Sequence, residues 1–289
     1  MKIVNTSNTF NFITINHKEE LNANMMADLL EERITGILIK KFLSEAEVSN
    51  ALEGIWNTPY QLKTRINDGF FSHPITFAQF TQLKEAGKLT LNDYCKIANE
   101  LLTTQEQKLG FDVVKKLCNF LNTYDPIKQV SPIINKENGQ ELVPFTIREL
   151  LPGKGELIIH CENLFFKEFP QFFNLLKWLD IKDNKLSYFI TLSEAEVGGE
   201  LCCFDLNWSN IKTRVDDEQL QNEHFQNINI VNNPDIKRHF IKPEPGDLLL
   251  FAGGNVWHRV EKVGGFKSRI TLGGFIAETT TPGKYYIWS

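Results

Sequence analysis

Six histidines and 36 acidic residues lie among the 289 positions of the chain, so fewer than one His-x-Glu/Asp triplet is expected by chance. Two occur, His17-Lys18-Glu19 and His160-Cys161-Glu162. Residues two apart on a strand face the same way. His160 and Glu162 close an apolar run, Leu157-Ile158-Ile159, so both side chains can enter one cavity. His17 and Glu19 run on into Glu20 and a helical pattern, which predicts a solvated strand-to-helix corner. His258 opens a strand after Gly253-Gly254-Asn255-Val256-Trp257, 96 positions beyond Glu162. Several strands fit in that interval, enough to travel round a barrel and return beside the first pair. Two imidazoles and one carboxylate on one face form the donor set of non-haem Fe(II) enzymes, which leaves three metal positions open. On these residues alone a second reading stays open, three polar groups satisfied in separate places.

Arg269 lies 11 positions beyond His258, across a turn at Gly264-Gly265. A guanidinium there can grip the distal carboxylate of a dicarboxylic acid while the acid's other end chelates the metal. Thr271, facing the same side, adds a hydroxyl. Arg259 and Lys267 compete for this role, but the run from Arg269 to Ala277 fits a core strand better than either. Candidates for substrate contact are Arg148, Asn163, Tyr188, Asp205 and Trp257, each with a plainer alternative. Arg148 reads first as a surface residue, Asn163 as a helix cap and Tyr188 and Trp257 as core, while Asp205 could simply begin a loop. Trp208 is ambiguous in the same way. His73, His224 and His239 have no partner spacing, which predicts solvated or capping roles.

These residues need a scaffold. The first 142 residues read as mainly helical support. Ser44 and Glu47 form a capping box, followed by Val48, Ala51, Leu52 and Ile55 at helical spacing. A buried strand, Gly36 to Leu43, feeds that helix, and further helices are predicted from Ile75 to Lys84 and from Leu91 to Leu121. From Val143 the texture changes to short strand-forming runs punctuated by Gly, Pro and Asn. Strands are predicted at Thr146–Leu150, Glu156–His160, Lys185–Leu192, Glu200–Phe204, Arg238–Ile241, Asp247–Phe251, His258–Val260 and Arg269–Ala277, with one helix from Asn163 to Leu179 that carries Pro170. Eight strands at this spacing predict a two-sheet jelly roll over 143–278. A polar stretch, 207–235, reads as a lid insertion, and 279–289 as a C-terminal tail. The fold class expected is α+β, in a single domain over 1–289.

Composition narrows the partners. Hydrophobic residues make up 42% of the chain, enough for a large core. Thirty-one basic residues against 36 acidic ones give a net charge of −5, which argues against nucleic acid or an anionic membrane as partner. No signal-like N-terminus or apolar run of spanning length is present, so a cytoplasmic protein is expected. Five cysteines include the vicinal pair Cys202-Cys203, which reads as reduced, buried thiols pointing to opposite faces.

From Phe145 to Ala277 the order of features resembles the Fe(II)- and 2-oxoglutarate-dependent dioxygenases, particularly the prolyl 4-hydroxylase-like branch. The resemblance is carried by His160-Cys161-Glu162, Gly198-Gly199-Glu200-Leu201, Lys242-Pro243-Glu244-Pro245-Gly246-Asp247-Leu248, His258-Arg259-Val260-Glu261, Arg269 and the lead-in Phe42-Leu43-Ser44-Glu45. It implies a double-stranded β-helix, Fe(2+) held by His160, Glu162 and His258, 2-oxoglutarate anchored by Arg269 with Thr271, and O2 as oxidant. The implied reaction hydroxylates a C–H bond of a small molecule, a free or carrier-bound amino acid, and releases succinate and carbon dioxide. Glu stands where most members carry Asp, as in some free-amino-acid hydroxylases of the wider family. Related halogenases have a small residue there so that chloride can reach the iron, and Glu162 argues against that chemistry. Two alternatives remain: a hydroxylase of protein side chains, and a cupin-like binding protein without turnover.

Overall fold

The computed structural model describes residues 10–16, 24–57, 63–124, 129–164, 170–209 and 233–289. The N-terminal part contains β1 (Phe12–Asn16), α1 (Met25–Leu30), β2 (Gly36–Lys40), α2 (Glu45–Trp56), β3 (Thr64–Asn67), β4 (Phe70–His73), α3 (Phe77–Glu85), α4 (Leu91–Leu109), α5 (Val113–Tyr124) and β5 (Gln129–Pro132). Then come β6 (Thr146–Leu150), β7 (Leu157–His160), α6 (Pro170–Trp178), β8 (Ile181–Ser193), β9 (Leu201–Asn207), β10 (Arg238–Ile241), β11 (Leu248–Phe251), β12 (Val256–Val260), β13 (Arg269–Thr279) and β14 (Lys284–Trp288). All eight strands expected between 143 and 278 are present, with ends shifted by a few residues.

Two sheets organise them. The larger runs β1-β2-β11-β8-β13-β6-β4-β3, with β14 joined to β13 and β5 joined to β14; the smaller runs β10-β9-β12-β7. Between β6 and β13 the chain changes sheet at every step except from β9 to β10. The sheets touch through the ring of Phe251 on β11, which stands perpendicular to that of His258 on β12 at 4.9 Å. A second apolar cluster, built on Ile159, Cys202, Phe204 and Trp257, covers the smaller sheet's other face. Cys202 belongs to that cluster and Cys203 to the main core, so the vicinal thiols do point to opposite faces, both buried and unbridged. The result is a sheet-rich α+β fold.

The N-terminal part carries strands as well as its five helices. Four strands extend the large sheet at both edges, since β1 and β2 add beside β11 while β4 pairs with β6. His73, expected in a solvated or capping role, closes β4 opposite Ile147. The expected helix from Leu91 to Leu121 is two helices. Gly110 ends the first in a left-handed conformation (φ 81°), and Asp112 opens the second by accepting the Lys115 N–H at 2.9 Å. Capping boxes start α2 (Ser44 with Glu47), α3 (Thr76 with Gln79) and α4 (Thr90 with Asp93), each side-chain cap contributing about 1 kcal/mol. The helix expected from Asn163 appears among the described residues as a helical stretch at 162–164 and as α6, which carries Pro170.

The C-terminal segment is also not a tail. Tyr285, Tyr286, Ile287 and Trp288 are buried in β14, which pairs antiparallel with β13 and parallel with β5. Four consecutive buried residues packed against two neighbouring strands outweigh the short length of the segment. Of the expected lid only 207–209 and 233–235 fall among the described residues, and His17, Glu19 and His224 lie outside them. Among the described residues no helix is long and apolar enough to cross a membrane.

The left-handed residue between α4 and α5 gives a direct test. Gly110→Ala forces a Cβ into that conformation and to 2.9 Å from Asn50 Cβ. It should lower stability by roughly 1–2 kcal/mol, read as a lower urea midpoint with an unchanged slope.

Candidate metal centre and its cavity

Strands β7 and β12 pair antiparallel with His160 directly opposite His258, and the two rings lie 4.4 Å apart. Beyond β7 the chain turns, and Glu162 is fixed by its own N–H donating to the Gly253 carbonyl at 3.2 Å. One ligand atom from each of His160, Glu162 and His258 lies within 4.8 Å of the others. Each imidazole Nδ1 sits against the carbonyl two residues back, His160 on Ile158 at 2.6 Å and His258 on Val256 at 2.8 Å. A carbonyl only accepts, so the proton is on Nδ1 and the Nε2 lone pair is left for a metal. Burial, with the neighbouring His258, pulls the His160 imidazole down to about 4. Burial pushes the Glu162 carboxyl up, but His258, His160 and the Ser187 hydroxyl outweigh it and hold the group below its ordinary value.

The carboxylate is clamped on one side only. Ser187 Oγ on β8 donates to Glu162 Oε1 at 2.5 Å, whereas Oε2 is buried with no partner. A Cβ at Gly253 would fall 2.1 Å from Ser187 Oγ and 2.9 Å from that second oxygen. A buried carboxylate with one oxygen unpartnered and the other 3.8 Å from His258 Nε2 is a costly arrangement without a cation and, with the two imidazole lone pairs, a complete facial donor set with one. These residues therefore fit Fe(II).

Arg269, the first residue of β13, is buried, with its guanidinium over the Phe189 ring at 5.0 Å. Among the described residues no carboxylate pairs with it, and burial together with Arg148 brings it down to about 10. Thr271 is buried two residues on, directly across from Thr191, whose hydroxyl is buried without a partner. A buried cation flanked by hydroxyls fits a carboxylate ligand. The competing cations are placed elsewhere: Arg259 grips Glu261 through two bonds of 2.7 and 3.1 Å, and Lys267 is exposed.

A cavity of about 550 Å³ opens on the His160 and Glu162 side of the centre, walled by residues of β3, β4, α3, β6 and β13. Of the substrate candidates only Arg148 lines it; rather than lying on the surface, it is held by Thr146 Oγ1 at 3.1 Å and Ser289 Oγ at 3.2 Å. Tyr188 is core, its hydroxyl donating to the Pro144 carbonyl at 2.8 Å. Trp257 lies in the outer cluster, since strand alternation turns it away from the face that His258 shares. Asn163 sits outside the cavity lining and accepts from Lys185 Nζ at 3.3 Å. Asp205 lines a separate small pocket with Phe10 and Glu32. Residues missed from the sequence are Lys185 and Ser187, which share with Phe189 and Thr191 the inward parity of β8, and Thr76, Gln79 and Ser289. Parity was a usable signal for the first two; nothing local marked the others.

A two-histidine, one-carboxylate centre backed by a buried arginine defines the class of Fe(II)- and 2-oxoglutarate-dependent oxygenases. Residues 9–289 match the family model described as carrier-protein-independent halogenase WelO5, and the chain belongs to that family. It is an enzyme with iron and 2-oxoglutarate as cofactors, as expected, so the alternative of a binding protein without turnover falls. No curated protein matches it in sequence. Among solved structures it is similar to an N-substituted L-amino acid dioxygenase from Burkholderia ambifaria AMMD, with a TM-score of 0.56 and 14% identity over 92% of this chain and 91% of that one. The same dioxygenase in complex with alpha-KG gives 0.55 and 15%, with the same coverage. Both likenesses concern the fold.

Two outcomes follow from the clamp and the buried imidazole. Ser187→Ala and Gly253→Ala should each weaken Fe(II) binding by roughly 10- to 100-fold, measured by anaerobic metal titration, with secondary structure unchanged by circular dichroism. A histidine whose folded value lies below its unfolded 6.5 leaves the unfolded chain holding more protons, so it contributes stability that is lost as pH falls from 6.5 towards 4. The melting temperature of the metal-free protein should drop across that window, with a shallower slope in His160→Asn.

Proposed function

We propose that the chain is a hydroxylase, not a halogenase, acting on an unactivated C–H bond of a small, amino-acid-sized molecule within a double-stranded β-helix. The observation that carries it is the Glu162 carboxylate: it fills the position where the resemblance implies that halogenases keep a small residue for chloride. The alternation of β6 to β13 between two sheets supports the jelly-roll reading. His160, Glu162 and His258 would hold the iron, and Arg269 with Thr271 would hold the far carboxylate of 2-oxoglutarate. When bound, the pair supplies the oxidising chemistry, in which O2 is consumed, succinate and carbon dioxide leave and C–H becomes C–OH.

The chain's own residues do the rest. Ser187 and the peptide N–H of Glu162 orient the carboxylate, and the Ile158 and Val256 carbonyls keep both imidazoles in the ligating tautomer. No side chain has to act as a general base. The protein's task is to hold the substrate beside the His160 and Glu162 side of the metal and to exclude water. A cavity bounded by α3 and the barrel favours a small molecule over the alternative, a protein side chain entering an open groove.

Purified enzyme given Fe(II), 2-oxoglutarate and O2 should release succinate slowly without added substrate, at the same rate in chloride and in acetate buffer. His160→Ala should abolish that release, and Arg269→Leu should raise KM for 2-oxoglutarate roughly 10- to 100-fold. Wild-type turnover by His160→Ala would overturn the metal assignment, and a strict chloride requirement would overturn the choice of hydroxylation.

A further inference from the structure

We infer that Glu32 and Asn255 are positioning residues of the iron centre: the Glu32 side chain braces the 252–255 turn and, through that turn, sets Glu162 and His258. This rests on the metal assignment above, with His160, Glu162 and His258 around Fe(II).

The turn supports two of the three ligands. The Gly253 carbonyl accepts the Glu162 N–H at 3.2 Å and the Gly254 carbonyl accepts the Asn163 N–H at 3.0 Å, so the chain leaving β7 hangs from it. On its other side the Val256 carbonyl holds Nδ1 of His258 at 2.8 Å. Two consecutive glycines give such a turn little stiffness of its own. Its position has to come from outside.

The segment before β2 supplies it. Strands β2 and β11 pair antiparallel with Gly36 opposite Phe251. Past the strand ends the register carries on. The Thr35 carbonyl accepts the Ala252 N–H at 2.9 Å, and Glu32 falls opposite Asn255, whose Nδ2 donates to Glu32 Oε1. Asn255 is buried, and among the described residues it is the only side chain of 252–257 that makes a hydrogen bond.

The backbone at Glu32 points the same way. Glu32 N–H donates to the Leu29 carbonyl at 3.2 Å and Arg33 N–H to the Asp28 carbonyl at 2.9 Å, the Schellman pattern that ends α1. Glu32 occupies its left-handed position (φ 59°), where glycine is preferred and any Cβ is disfavoured. Glu32 is also exposed, so core packing does not call for a carboxylate there. A residue that keeps a disfavoured backbone and gives its side chain to a buried amide beside the ligand supports has the marks of a functional constraint.

Anaerobic calorimetric titration with Fe(II), alongside urea unfolding of the metal-free protein, separates positioning from mere stabilisation. Glu32→Gly should weaken Fe(II) binding roughly 3- to 10-fold. Its urea midpoint should stay level or rise, because glycine relieves the left-handed backbone as the hydrogen bond is lost. Glu32→Gln keeps an acceptor for Asn255 and should recover most of the affinity. Asn255→Ala should match Glu32→Gly, and the double variant should bind no more weakly than either single one. Wild-type affinity in Glu32→Gly, a loss in Glu32→Gln as large as in Glu32→Gly, or additive losses in the double variant would overturn the inference. If Asn255→Ala does not fold, the two Glu32 variants decide alone. His160→Ala is titrated first: undiminished Fe(II) affinity there strikes the metal assignment, whereas the outcomes at Glu32 strike only the brace.

Discussion

The pairing of His160 against His258 across two antiparallel strands is the constraint that the rest of the site obeys. Side chains on a strand alternate between faces, so a slip of one residue between β7 and β12 would turn one imidazole into the outer cluster beside Trp257. The register is held by burial on both faces of the small sheet. Ile159, Cys202, Phe204 and Trp257 pack on one side, and the ring of Phe251 meets His258 on the other. The outer cluster, which touches no ligand, thereby specifies which residues can ligate.

The centre also has an arginine on each of two sides. On one side lies a line of aromatic rings, His258 to Phe251 to Phe189, ending at the guanidinium of Arg269. On the other, His160 and Glu162 open to the cavity that holds Arg148. Two arginines near each other are mutually unfavourable, and the half-buried Arg148 adds to burial in lowering the pKa of Arg269. The N-terminal part gains its role here, since β4 widens the large sheet beside β6 and brings α3 over the cavity mouth.

The strands from 143 to 278, the three candidate ligands and Arg269 were legible because each rests on local alternation or on a spacing that one strand imposes. The capping box at Ser44 was legible for the same reason. Gly110 and Asp112 were readable as a helix stop and start, yet the apolar periodicity running through them, from Ile97 and Leu101 to Leu117 and Leu121, hid the break. The strands β3, β4 and β14 were not legible, because their pattern acquires meaning only against neighbours far along the chain: Phe70 and Phe71 against β6, Tyr286 and Ile287 against β13 and β5. Arg148 shows the same limit. Its parity placed it on one face of β6, but only the arrival of Ser289 and Phe275 from other strands makes that face a cavity wall rather than a surface.

The choice of Glu over Asp at position 162 has a structural counterpart in its surroundings. One further methylene adds a rotatable bond, and a ligand with more freedom loses more entropy when it is fixed. The structure removes that freedom with three groups from two segments: the Gly253 carbonyl on the Glu162 N–H, Ser187 Oγ on one carboxylate oxygen, and the bare Cα of Gly253 against the other. A side chain at 253 would occupy the space that the longer carboxylate needs, and an apolar residue at 187 would leave both carboxylate oxygens without a hydrogen bond. Glu162, Ser187 and Gly253 therefore work as one unit. A carboxylate fixed in this way keeps one oxygen aimed at the imidazoles before any metal arrives, the preorganisation that a facial donor set requires.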